Sequence, residues 1–261
     1  MIFDVIDQKI RRAFSSAAMQ YDVLSSLHKE IGRELIKKII DNDRAEAILD
    51  VGMGTGSFTK RISFYFPEST IVGLDSAAGM IDEAKKKREK FHIVQGDAQQ
   101  LPFKPEAFDI ITSNLAYQWV YALSQALQGC HRCLRPEGVF HVTMFGFDTF
   151  KELFASLEYA LDGQGEANKI KRLATRDEIK AALVQAGFRD IHIDYELIKA
   201  HFPTMMDLLK WIKDIGANAL PKDLFIGKDL LQKTEEFYNV KFKDRFGIYT
   251  TFEVVWVKAR K

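Results

Sequence analysis

Seven residues, Asp50-Val51-Gly52-Met53-Gly54-Thr55-Gly56, constrain this chain more than any others. They end the short apolar run Ala47–Val51 and lead into a helical stretch from about Ser57 to Phe64. Alternate glycines at a strand end let the chain turn tightly and bring its amides close to a ligand. That happens at the carboxyl edge of the sheet, where open α/β folds bind. A turn without a ligand explains three alternate glycines poorly. Alone, such a loop suits a dinucleotide pyrophosphate equally well.

The pattern around the loop repeats. Further strand-like runs are Thr70–Asp75, 91–95, 108–113 and 139–145, with helices at 80–90 and 121–133 between them and an Arg135-Pro136-Glu137-Gly138 turn before the last. Strands alternating with helices imply a parallel sheet covered on both faces by right-handed crossovers, a Rossmann-like α/β fold. Residues 8–40 read as helices, because Leu24, Leu27, Ile31, Leu35, Ile36 and Ile39 recur at helical spacing. Beyond residue 146 we expect helices at 149–161 and 175–186 and a strand at 191–195. A mostly helical insertion at 204–240 then precedes a last strand at 249–257. The expected plan is one domain: a helical cap (1–43), a cofactor core (44–146) and a substrate side (147–261).

Composition narrows the function. Lysine plus arginine number 37 against 36 acidic residues, so no global charge draws the chain to nucleic acid or to a membrane surface. No apolar run approaches the ~20 residues of a membrane helix, and the acidic N-terminus does not read as a signal peptide. The expectation is a cytoplasmic protein. Cys130 and Cys133 form a C-x-x-C late in a helix. No second pair completes a zinc site, so they read as small helix residues and no metal is expected. The run Lys85-Lys86-Lys87-Arg88-Glu89-Lys90 reads as the solvated end of a surface helix.

Carboxylates choose the ligand. Asp50 beside the glycines suits an ammonium group or its waters and repels a pyrophosphate. Asp75 ends the second strand and can accept ribose hydroxyls, and Gly96-Asp97-Ala98 ends the third with a carboxylate suited to an adenine amino group. Met80 can pack on the adenine face. Several acids favour a cationic sulfonium over an anionic dinucleotide, which argues against a Rossmann oxidoreductase. Over residues 45–145 this constellation resembles the class I S-adenosylmethionine methyltransferases. The resemblance implies S-adenosyl-L-methionine as cofactor, held by Asp50, Gly52, Gly54, Gly56, Asp75, Met80, Asp97, Ala98 and Asn114. It also implies a seven-stranded sheet with the last strand antiparallel.

The acceptor must be read elsewhere, because one fold serves many substrates. The segment Ser113-Asn114-Leu115-Ala116-Tyr117-Gln118-Trp119 lacks an Asn/Asp-Pro-Pro-aromatic tetrapeptide and an immediate base. An already ionised carboxylate needs no base. That segment, together with residues 13–22, 209–218 and 249–255, resembles the malonyl-acyl-carrier-protein O-methyltransferases of biotin synthesis. The resemblance spans nearly the whole chain; Met53 stands where many members carry cysteine. It implies esterification of a malonyl carboxylate on acyl-carrier protein or coenzyme A, and a methyltransferase for another small acid or quinone-like metabolite is the alternative. Arg172 is our candidate anchor for that carboxylate, although it reads equally well as a solvated loop arginine. Tyr21 and Trp119 are candidate walls. Lys210 and Lys213, three apart on a helix, could meet an acidic carrier.

Overall fold

The computed structural model describes residues 2–40, 45–87, 90–161, 172–217 and 227–261. Two helices, α1 (Ile2–Leu24) and α2 (Ser26–Ile40), precede β1 (Ala47–Val51), α3 (Ser57–Tyr65), β2 (Thr70–Asp75), α4 (Ala78–Lys86) and β3 (His92–Gln95). Then come β4 (Phe108–Asn114), α5 (Leu123–Cys133), β5 (Leu134–Phe145), α6 (Lys151–Ala160), α7 (Arg176–Gln185) and β6 (Arg189–Phe202). The chain closes with α8 (Met205–Asp214), α9 (Lys228–Lys241), β7 (Lys243–Asp244) and β8 (Gly247–Arg260).

The sheet runs β3-β2-β1-β4-β5-β8-β6. The pairings among β1 to β5 are parallel, whereas β8 lies antiparallel to β5, β6 and the short β7. This is the doubly wound α/β sheet with a reversed last strand, and β7 is a small addition to it.

Side-chain alternation along the strands divides the core into two layers. Leu49 and Val51 of β1 join a cluster with Ala126, Leu127 and Cys130 of α5 and with Ile179 and Leu183 of α7. Ile48 faces the other way, toward Ile31, Leu35 and Ile39 of α2 and Ile62 of α3. Strands so covered must be apolar on both faces, and for that reason their sequences read as continuous hydrophobic runs.

The structure departs from the sequence reading where polar residues hide a strand. β6 runs from Arg189 to Phe202, well past Tyr195, because it is an edge strand whose charged side chains remain exposed while it pairs with β8 along its length. β8 likewise extends from Gly247 to Arg260. The expected turn at 135–138 is a bulge inside β5: the register with β4 shifts there and Glu137 takes φ 64°. The insertion at 204–240 comprises α8 and α9. Residues 218–226 between them, and Lys171, Arg88 and Glu89 of the readings above, lie outside the described residues.

Cys130 and Cys133 are buried and free, and Cys130 Sγ lies 2.7 Å from the Tyr117 hydroxyl. Burial pushes the Cys130 thiol up to about 12, so it packs rather than reacts.

Candidate functional site

The loops that follow β1, β2, β3 and β4 meet at the carboxyl edge of the sheet and line a half-open cleft of about 800 Å³, its open mouth included. Gly52 and Gly54 form one wall with φ of 76° and 56°, the left-handed region that favours glycine. At Gly54 an added Cβ would meet only the Tyr21 ring, 4.0 Å away, so the backbone there is open to a ligand. At Gly52 it would fall 2.3 Å from the Ala116 Cβ, so that glycine is required by the close approach of the segment after β4. Leu115, beside Ala116, is itself left-handed at φ 57°.

Asp75 is fixed at the end of β2. Its Oδ2 accepts from Gly54 N and its Oδ1 from Ala77 N, both at 2.8 Å. A carboxylate has about four acceptor positions, so capacity remains for a ligand. Burial raises the Asp75 carboxyl, opposed by the amides of Ala77, Gly54 and Ser76. Asp97 accepts from Gln99 N at 2.8 Å and pairs with Arg11 of α1 at 2.5 Å. Met80, Ala98, Asn114 and Trp119 complete the lining.

Three expected residues lie apart from that lining. Asp50 has the same side-chain parity as Ile48 and accepts from Thr59 of α3 at 2.6 Å. Its other oxygen is sealed without a partner, and burial raises the carboxyl to about 7, with Thr59 opposing and Asp75 adding. Gly56 packs instead against Phe91: a Cβ there would come within 2.8 Å of that ring. Arg172 pairs with Glu158 at 2.8 Å and stacks over the rings of Phe147 and Phe154.

Helix α1 forms the roof. Ile10, Arg11, Phe14 and Tyr21 reach the cavity from it, and the Phe14 ring meets Trp119 edge-on at 5.5 Å. Burial first, then the Asp75 and Asp22 carboxylates, push the Tyr21 hydroxyl well above its ordinary value, so it remains a neutral phenol. Behind Tyr21 lies His28, ring centroids 5.9 Å apart, with its Nδ1 sealed and unpartnered. Sequence reasoning missed Arg11 and Phe14, although their helical spacing to Tyr21 was visible. It also misread Lys87, which is not part of a solvated run but donates to Asp22 Oδ2 at 2.7 Å.

The donor set fits S-adenosylmethionine. Open glycine backbone, two carboxylates with free acceptor positions and apolar Leu74 and Met80 share one cavity, and an unsatisfied carboxylate oxygen lies just behind it. Such a lining favours a cation and offers hydrogen bonds to hydroxyls and an amino group.

The chain matches the Methyltransferase domain family over residues 49–142. It is 32% identical over 260 residues to a malonyl-[acyl-carrier protein] O-methyltransferase of Geobacter sulfurreducens, covering 95% of this chain and 97% of that protein. A protein of the same name from Legionella pneumophila is 31% identical over 264 residues, covering 98% and 91%. Among solved structures it resembles YcgJ of Bacillus subtilis, with TM-score 0.63, 19% identity, and 88% and 97% of the two chains covered. It also resembles a Haemonchus contortus phosphoethanolamine N-methyltransferase 2 in complex with S-adenosyl-L-methionine. There the TM-score is 0.60 and the identity 17%, over 95% of this chain and 57% of that one. At such identities the structures speak for the fold alone.

Proposed function

The chain belongs to the malonyl-acyl-carrier-protein O-methyltransferases, among the S-adenosylmethionine-dependent methyltransferases, and we propose that it esterifies the free carboxylate of a malonyl group on acyl-carrier protein at the start of biotin synthesis. The observation that carries the acceptor class is the chemistry of the cavity. Its ionisable lining consists of Arg11, Tyr21, Asp75 and Asp97, with no histidine, lysine or glutamate to act as base among the described residues. A carboxylate is ionised at neutral pH and needs none.

S-adenosylmethionine supplies, when bound, an electrophilic methyl group on a cationic sulfur. The chain's own residues bind, align and exclude water. Gly52 and Gly54 offer backbone to the methionine portion, Asp50 acts on its ammonium from behind the loop, and Asp75 takes the ribose hydroxyls. Asp97 takes the adenine amino group beside Ala98 and Met80, with Asn114 at the β4 end. Tyr21 and Trp119 wall the methyl path, and alignment with water exclusion is the main catalytic demand.

Arg172 is the candidate anchor for the acyl carboxylate. Its guanidinium lies over two rings and pairs with Glu158, which the substrate carboxylate would replace. Lys210 and Lys213 lie exposed on α8, which meets α1 through Gln20 Nε2 donating to Asp214 O and Trp211 Nε1 to Leu24 O. On α1 itself, Met19 and Val23 are more than four-fifths exposed (86% and 82%). Exposed apolar side chains on α1 and exposed cations on the helix bonded to it suit an acidic carrier protein. Residues 1–43 then act as cap, 44–146 as cofactor core and 147–261 as acyl side. No described helix is long and apolar enough to cross a membrane, and the reaction is assigned to the cytoplasm.

Mass spectrometry of malonyl-carrier protein after incubation with S-adenosylmethionine tests this reading. One added methyl per carrier is expected. Methylation of free small acids with an unmodified carrier would instead select the alternative acceptor.

A further inference from the structure

Asp22 does not line the cavity, yet the end of the glycine loop and the end of α4 converge on its carboxylate. Its Oδ1 accepts from the Thr55 hydroxyl at 2.7 Å and from the Ser57 hydroxyl at 3.0 Å. Its Oδ2 accepts from Lys87 Nζ, which also donates to Thr55 O at 2.8 Å and to Ser57 Oγ at 3.1 Å. Thr55 and Ser57 flank Gly56, where the glycine loop becomes α3, and Lys87 directly follows α4. Burial pushes the Asp22 carboxyl up, but Lys87 and the two hydroxyls outweigh it and hold the group below the usual carboxylate range. Both side chains are about two-thirds covered, at 35% and 28% exposed, so water competes less for these bonds than for those of a fully solvated pair.

On the side of α1 that faces the cofactor core, two other contacts tie the helix down besides those to α8. Arg11 pairs with Asp97, and Gly79 N donates to Ser15 Oγ at 3.3 Å where α4 comes so close that a Cβ on Gly79 would lie 2.3 Å from Ser15 O. Of the three, only the Asp22 cluster grips the glycine loop. The neighbouring Tyr21 is the residue whose ring stands over Gly54.

We propose that Asp22 and Lys87 form a latch of positioning residues that fastens the end of α1 to the glycine loop, holds Tyr21 over Gly54, and thereby sets how long the cofactor stays bound. The proposal rests on the reading that this cavity takes S-adenosylmethionine. The latch acts through Tyr21 and the loop and does not touch the ligand. Opening the latch frees the Thr55 and Ser57 hydroxyls and the end of α1 together, while β1 and the Gly54–Asp75 bond stay in place. Loss of the latch therefore accelerates ligand escape more than it slows entry.

Three variants of the full chain test it: Asp22→Asn, Lys87→Met and the pair together. The readouts are affinity and dissociation rate for S-adenosylhomocysteine, and amide hydrogen exchange. Each single change is expected to weaken binding about tenfold, carried by a faster off-rate, and the double variant to add little, because the two groups act as one unit. Amides of α1 near residues 15–24 should exchange faster while those of β1 and β4 do not change. Lys87→Arg should retain most of the affinity. Fully additive losses, or a lower melting temperature with an unchanged off-rate, would overturn the latch. An unmodified protein that takes up no S-adenosylhomocysteine would overturn the cofactor reading and the retention claim with it, and α1 exchange would then judge the fastening alone.

Discussion

The floor and the roof of the cavity are built by different means. The floor hangs from β1 and β2, whose register sets Asp50 opposite Gly73 and Val51 opposite Leu74; Gly52 N and Met53 N then donate to Leu74 O, and Gly54 N to the Asp75 carboxylate. The roof, α1, is held by side-chain bonds such as Arg11–Asp97, Ser15–Gly79 and Asp22–Lys87, between residues 64 to 86 positions apart. A single such bond contributes roughly 0.5–1.5 kcal/mol, rather more when charged. A binding site can thus combine a floor that scarcely moves with a roof that opens at modest cost.

The strongest attempt to break this contrast is Gly52→Ala. It forces a side chain into a left-handed position, at about 1–2 kcal/mol, and drives it into Ala116. Calorimetry should show S-adenosylhomocysteine affinity falling by more than about 100-fold, near 3 kcal/mol. Affinity within tenfold of the parent would mean that the floor is not set by its backbone. Asp75→Ala comes next. It strips the acceptor from Gly54 N and Ala77 N, and a charged acceptor contributes about 1.5–3 kcal/mol, so binding should weaken about 30-fold.

Arg172→Ala sharpens the same line from the acyl side. We expect KM for malonyl-carrier protein to rise about tenfold with cofactor affinity within about twofold of the parent, as loss of one charged hydrogen bond implies. Equal losses of cofactor affinity for this variant and Asp75→Ala would contradict both assignments. The last test reads stability rather than affinity and concerns Asp50. Burial raises its carboxyl from 3.8 to about 7. The folded protein therefore holds that proton more tightly than the unfolded chain, and stability declines as pH climbs from about 4 through about 7. His28 and His141, lowered by burial to about 4 and about 3, contribute an opposite slope below their ordinary 6.5, and it cancels between parent and variant. The melting temperature of the Asp50→Asn protein should accordingly gain on the parent between about pH 5 and about pH 8. A constant difference would exclude the titration.

Most of the floor was legible in advance. Gly52, Gly54, Asp75 and Asp97 sit at or just after strand ends, where a local pattern and a general rule of open sheets are enough, whereas Gly56 turned out to pack on Phe91. Asp50 shows the limit of such reading. Its neighbours in sequence suggested a place in the wall, but strand alternation turns it to the Ile48 side, against Thr59. β6 was read short for a related reason: Glu196, Lys199 and His201 look like loop, and only pairing with β8 makes them strand. The roof was legible as a helix and not as a roof. Lys87 looked like one lysine in a charged run until the fold brought it to Asp22.

By itself the sequence determined the strand–helix alternation, the glycine loop and the acidic strand ends, because each depends on residues close together in the chain. Only the tertiary structure decided that α1 lies across the loop, that Arg11 faces Asp97 and that Arg172 is paired with Glu158. Those contacts join distant segments. Their partners are selected by how the layers pack, and no local pattern of charge or hydrophobicity encodes that choice.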